Sequence, residues 1–423
     1  MTFRPNPLLY GANEDFLSSF KLALTMRDPV DRDLLAKAVE GAMARYPYFC
    51  VLAERRGNEL VLGHNPRPVP VFGDGRDVVL GSEESKFHLV AFSCAGRQIY
   101  LNASHYIADG MGIDPLLKTV LYLYVKAAYG TDEGICTERI CMPGEPIDPK
   151  EYAYPFFDEP IETESLQRKA PAEAYTLDPD AFDQNGLYAY HLHIPQKAMM
   201  AKAGPSDGSP VSFLSVMLYR AIMQLDASAD RPIVAHVQHQ YRAAIHAPLC
   251  RHSLVSYIPV SLPPKAKKWD VEFQNTVIRG QVILGSEHDA ELEAIGRLVS
   301  AFPGEPDASF AERADAMRRF SEDSILAKTF GISYVGRADW CGLDRYVEDI
   351  HAYIGEKASR SMLLIEVMTI GEDFTINFMQ SGSGRRYLDA FVEQIRSLEI
   401  PVRLIGEERY SLCGTRIPSV SDN

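Results

Sequence analysis

Residues 98–104 alternate apolar Ile99, Leu101 and Ala103 with more polar Gln98, Asn102 and Ser104, the period-two pattern of a strand with one buried face. A second strand-like run, residues 87–93, precedes it across a short turn at 94–97, which predicts a hairpin with His105 next in phase after Ala103. Asp114 and Pro115 then offer an N-cap carboxylate and a proline for a first helical turn, and Leu116, Leu117, Val120, Leu121 and Tyr124 continue at helical spacing. Residues 105–112 are thus predicted to be a strand-to-helix loop, where rigid neighbours hold side chains in place for chemistry.

Downstream, residues 187–194 alternate as a strand. Ser209 and Pro210 open a helical stretch through Phe213, Leu214, Met217 and Ile222. Residues 233–241 and 254–262 read as strands, 302–330 as mostly helical, and 362–368 with 374–379 as a hairpin across Gly371. Between 142 and 175 proline and glutamate replace this periodicity, which suits an exposed crossover. The pattern predicts an α/β (α+β) chain without internal repeats: an N-terminal lobe at 1–142, a linker at 143–185 and a C-terminal lobe at 186–423.

Composition narrows the partners. With 43 Lys and Arg against 57 Asp and Glu the formal charge is −14, which argues against nucleic acid or an anionic membrane surface. No apolar run approaches the length of a membrane span. The first 16 residues carry prolines and acids in place of a leader's apolar core, and seven cysteines stand without paired spacing. Both predict a cytoplasmic protein with reduced thiols.

The candidate chemistry lies in the predicted loop, which runs from His105 through Tyr106, Ile107 and Ala108 to Asp109 and Gly110. An imidazole, with an ordinary pKa of about 6.5, is largely neutral yet basic near pH 7 and suits a general base. Gly110 fits a backbone needing positive φ or close approach to a substrate. His236, His239, His246 and His252 crowd together with Cys250, but their spacings match no common zinc pattern, so no metal is expected. Lys265, Lys267 and Lys268 form a small basic loop able to meet phosphates.

The His105 loop resembles the His-His-x-x-x-Asp-Gly motif of the condensation-domain and chloramphenicol-acetyltransferase-like acyltransferases, with Ser104 in place of the first histidine. Residues 31–47, ending in Arg45, Tyr46 and Pro47, are similar to that superfamily's first helix. Residues 236–242 resemble its Val-Asp-Leu-Arg strand, with Arg242 at the arginine, and 374–398 its last strand and helix. The Asp-Phe-Gly-Trp-Gly signature of the plant branch is absent, the nearest match being 335–340, so the resemblance is to a bacterial stand-alone, alcohol acetyltransferase-like member.

The resemblance implies two lobes, each a mixed sheet with flanking helices, forming a V with a central tunnel. It implies transfer of an acyl group from acyl-CoA, or an acyl-carrier thioester, to a hydroxyl or amine. His105 would be the general base, Asp109 would pair with Arg242 to shape the loop, and Ser253 is a candidate oxyanion donor or interface residue. Small-molecule donor and acceptor are the expected partners, with an acyl carrier protein as a further candidate. A carrier-dependent condensation enzyme and a catalytically silent binding module of the same fold are the alternatives.

Overall fold

The computed structural model describes residues 4–12, 18–155, 173–183, 185–226, 230–300, 308–336, 339–355 and 362–417. Parts of the expected N-terminal segment, linker and 302–330 stretch therefore lie outside the described residues. The first half contains β1 (Arg4–Pro5), β2 (Ser19–Met26), α1 (Arg32–Met43), β3 (Val51–Arg56), β4 (Glu59–His64), β5 (Val71–Phe72), β6 (Val90–Ala95), β7 (Gln98–Ser104) and α2 (Gly110–Tyr129). Next come β8 (Leu187–Pro195), α3 (Gln196–Ala203), α4 (Pro210–Leu225), β9 (Ile233–Gln240), β10 (Val255–Leu262), α5 (Val271–Gly285), α6 (His288–Ser300) and α7 (Phe310–Leu326). The chain continues through β11 (Phe330–Tyr334), β12 (Val347–Tyr353), β13 (Leu363–Ile370), β14 (Asp373–Gln380), α8 (Arg386–Arg396) and β15 (Arg403–Tyr410).

These strands form two large mixed sheets and one small one. The five-stranded sheet runs β12-β2-β7-β6-β5, the seven-stranded sheet β10-β9-β11-β13-β14-β8-β15, and β1-β4-β3 stand apart. Helices α1 and α2 cover the five-stranded sheet, burying Leu35, Val39, Ile113, Leu116 and Val120 with Leu24, Phe92 and Leu101. On the seven-stranded sheet α4 and α8 bury Phe213, Met217, Phe391 and Ile395 against Ile332, Ile365 and Phe378. Each such side chain contributes about 1.5–3 kcal/mol on leaving water.

Sheet membership does not follow contiguous halves of the chain. Residues 347–353, from the stretch expected to make the C-terminal lobe, pair antiparallel with β2 and complete the first lobe's sheet. The tail returns as well, since Leu80 bridges Thr415 and Ser19 Oγ donates to the Cys413 carbonyl. The physical reason is β2's free edge, whose amides and carbonyls need a partner. Where the sheets meet, Asp349 of β12 accepts hydrogen bonds from His193 of β8 at 3.1 Å and Thr375 of β14 at 3.3 Å. Ala23, Tyr353, Leu364 and Met379 join them in one apolar cluster.

Three local expectations are corrected. Helix α2 starts at Gly110, four residues before Asp114, because Asp109 is the N-cap and its carboxylate accepts from the Gly112 amide at 2.8 Å. Pro115 therefore lies inside the helix, and the strand-to-helix loop shortens to 105–109. The crossover is not exposed throughout: Glu151 is buried in a bidentate ion pair with Arg45, at 2.7 and 3.0 Å, and accepts from the Tyr48 hydroxyl. After α8 the chain adds β15 to the sheet edge, so 374–398 do not hold the last strand.

Candidate active site

His105 follows the last residue of β7, where its amide donates to the Ser18 carbonyl at 2.7 Å. Its half-buried imidazole meets the Phe20 ring edge-on, with centroids 5.2 Å apart. Nδ1 stands 3.4 Å from the Ser253 hydroxyl, while Nε2 has no hydrogen-bonding partner among the described residues. Burial lowers the imidazole's pKa below its ordinary 6.5, with the Asp109 charge pulling the other way. The ring therefore favours its neutral, basic form near pH 7.

The ring opens on a cavity of about 340 Å³. Phe20 and Leu22 of β2 wall it from one sheet, and Gln238, Ser333, Leu364 and Glu366 from the other. Asp109 lines it too, but its carboxylate is turned to other partners. Arg242 donates to both its oxygens, each at 2.8 Å, and the Gly112 and Leu254 amides donate at 2.8 and 2.9 Å. Four donors saturate the carboxylate, so it cannot also orient His105 as a hydrolase triad would require. Arg242 in turn donates to the Cys250 and His252 carbonyls, both at 2.9 Å, tying the segment after β9 to the start of α2.

Gly110 lines the cavity without a positive φ, the first of the two roles expected of it. A Cβ there would meet only Val335, at 3.9 Å. The first helical turn needs its glycine at 112 instead, where a Cβ would fall 2.0 Å from the Arg251 carbonyl oxygen. That approach is what lets Asp109 reach Leu254 and Arg242 together.

The crowded histidines separate in space. His236 stacks on Tyr257 with centroids 3.6 Å apart, and burial drives its pKa down to about 3. His239 pairs with Glu291. His252 Nδ1 donates to the Ile107 carbonyl at 3.1 Å, and its ring stacks on Tyr154 with centroids 3.8 Å apart. It is a structural prop under the motif loop, which histidine spacing alone could not reveal. Among the described residues no three His, Cys, Asp or Glu side chains converge as a metal would need. Lys265, Lys267 and Lys268 lie on an exposed turn outside the cavity wall.

Two groups of cavity residues escaped the sequence reading. Phe20 and Leu22 sit on β2, whose alternation of Phe20, Leu22, Leu24 and Met26 with Lys21, Ala23 and Thr25 was a legible signal. Glu366 is a lone acid within the apolar run of β13, an equally visible mark of a buried polar site.

No protein-family model and no curated protein matches the chain. Solved structures do. Polyketide synthase associated protein 5 from Mycobacterium tuberculosis is similar over 92% of this chain and 96% of its own, at 13% identity and a TM-score of 0.62. TRI101 of F. graminearum, solved with coenzyme A and deoxynivalenol, covers 94% and 97% at 11% identity and a TM-score of 0.58. The condensation domain of the monacolin K polyketide synthase MokA covers 94% and 96% at 10% identity and a TM-score of 0.55. The chain thus shares its fold, two helix-flanked mixed sheets, with these structures, a condensation domain among them. Among the described residues, no helix is long and apolar enough to cross a membrane.

Proposed function

We propose that this protein is an acyltransferase that moves an acyl group from a thioester to a hydroxyl or amine, with His105 as general base. The observation that carries it is an imidazole whose Nε2 has no partner among the described residues, on the wall of a cavity between two sheets. In the reaction Nε2 takes the acceptor's proton as its oxygen or nitrogen bonds to the thioester carbon. The imidazolium then returns that proton to the departing sulfur as the C–S bond breaks. No acyl-enzyme is required.

The fold likeness to TRI101, solved with coenzyme A, supports acyl-CoA as the donor. Asp109 and Arg242 hold the loop without touching the reacting atoms. Ser253 faces Nδ1, which suits an orienting role: accepting the Nδ1 proton leaves the Nε2 lone pair for the acceptor. This departs from an oxyanion role for Ser253.

Thiol release from acyl-CoA, followed with a panel of small alcohols and amines, tests the reading. Release should require both acceptor and His105, falling about 10²–10⁴-fold in His105→Ala. Transfer from a carrier-bound thioester alone would favour the condensation reading. Equal rates with and without His105 would end the assignment.

A further inference from the structure

The cavity holds a second group that the transfer mechanism does not use. Along β13, Leu363, Ile365 and Val367 point into the core beneath α4 and α8. Glu366 takes the opposite face, which looks toward the five-stranded sheet, and is only 4% exposed. Its neighbours in register are Ser333 of β11 and Asn377 of β14. Ser333 donates a hydrogen bond of 2.8 Å to the carboxyl, and the Asn377 amide nitrogen is spent on the Ala352 carbonyl.

Among the described residues, no lysine or arginine lines the cavity. The other acid of the wall, Asp109, is matched by Arg242, so Glu366 is the wall's one acid without a cationic partner among the described residues. An isolated carboxylate in such a place is costly. Burial accordingly pushes the Glu366 carboxyl up to about 7, with only the Ser333 hydrogen bond opposing. A plain hydrocarbon acceptor gains nothing from this group and would leave it desolvated. A ligand ammonium supplies the missing charge.

We propose that Glu366 and Ser333 form a subsite for a positively charged amino group on the acceptor, so that the preferred acceptor is an amino alcohol or diamine. One end of it is bound at Glu366 while the other is presented to His105. This rests on the acyl-transfer reading above and adds a substrate class to it. A simple alcohol can still reach His105 but leaves the subsite empty.

The matched pair 6-amino-1-hexanol and 1-heptanol, equal in heavy atoms, tests this in two ways. Calorimetric titration of the unaltered protein, without any acyl donor, should show the amino alcohol binding at least tenfold more tightly than heptanol. Glu366→Gln, which keeps shape and a hydrogen bond to Ser333 but cannot be charged, should erase that difference. In acyl transfer from acetyl-CoA the variant should raise KM for the amino alcohol about tenfold or more, with its kcat and the heptanol KM within twofold. Equal binding of the two ligands by the unaltered protein, or equal changes for both in the variant, would overturn the proposal. Binding is read without turnover, so selective binding with no acyl transfer would sink the acyltransferase reading alone. The wild-type comparison stands even where the variant fails to fold.

Discussion

Arg242 grips Asp109 with two hydrogen bonds of 2.8 Å, and both side chains are 5% exposed. The same carboxylate caps α2 and receives the Leu254 amide, so one acid joins the start of a helix on the first sheet to two segments beside the second. Breaking a buried pair from one side leaves a stranded charge, at a cost of about 3–5 kcal/mol. Asp109→Ala and Arg242→Ala should each lose about that much in urea unfolding, and the double variant should cost well under their sum. Additive losses would show that the two residues act separately.

His105→Ala should leave the fold nearly as stable, since the imidazole makes one long side-chain hydrogen bond, to Ser253, and one edge contact, with Phe20. Because burial lowers the His105 pKa, the ionisation limiting kcat/KM should fall below 6.5. With a neutral alcohol as acceptor, the rate should rise with pH through that point and then level. A limiting ionisation well above 7 would point to a different base.

Glu366 predicts a stability profile of unusual sign for an acid. Its folded pKa of about 7 stands above the ordinary 4.5, so folding takes up a proton between those values. Stability on this account falls as pH rises through that window, by about 3 kcal/mol once above 7. Glu366→Gln should therefore be more stable than the unaltered protein at pH 8, and the advantage should vanish near pH 4.5. A variant no more stable at pH 8 than at pH 4.5, relative to the parent, would contradict this.

His252 gives the opposite slope. Burial holds its pKa down to about 4, the Ile107 carbonyl opposing, so the unfolded chain binds a proton that the folded one refuses. Its contribution is intact above pH 6.5 and is lost as pH falls toward 4, by about 3 kcal/mol. His252→Phe keeps a ring to stack on Tyr154 but cannot titrate. Its unfolding free energy should decline less steeply over that interval, whatever the offset from losing the hydrogen bond to Ile107.

How much of this was legible in the sequence varied with how far each element's partner lay along the chain. The β6–β7 hairpin and the β13–β14 hairpin announce themselves by alternation and a nearby glycine, because their pairing is local. The junction of Asp109 with Arg242 came only from resemblance, since nothing local relates residues 133 positions apart. Helix α5 went unread because the residues it buries are Gln274, Asn275 and Ile278, which make no apolar stripe. Strands β12 and β15 mix charged with apolar residues, as edge strands do, and so lacked a strand's signature. At α2 a proline in the sixth helical position was mistaken for a first-turn marker. The glycine that matters there, Gly112, is explained by a carbonyl 139 residues away, at Arg251.

The pairing of β2 with β12 sets the order in which this molecule can be completed during synthesis. Lys21 finds Tyr353 only after most of the polypeptide has left the ribosome, so the first lobe waits with an open flank while the second is being made. A separately expressed fragment ending near residue 142 would carry that flank permanently and should self-associate. An intact domain cut from this chain, or one grafted into a chimera, has to take residues 347–353 along with the amino-terminal part.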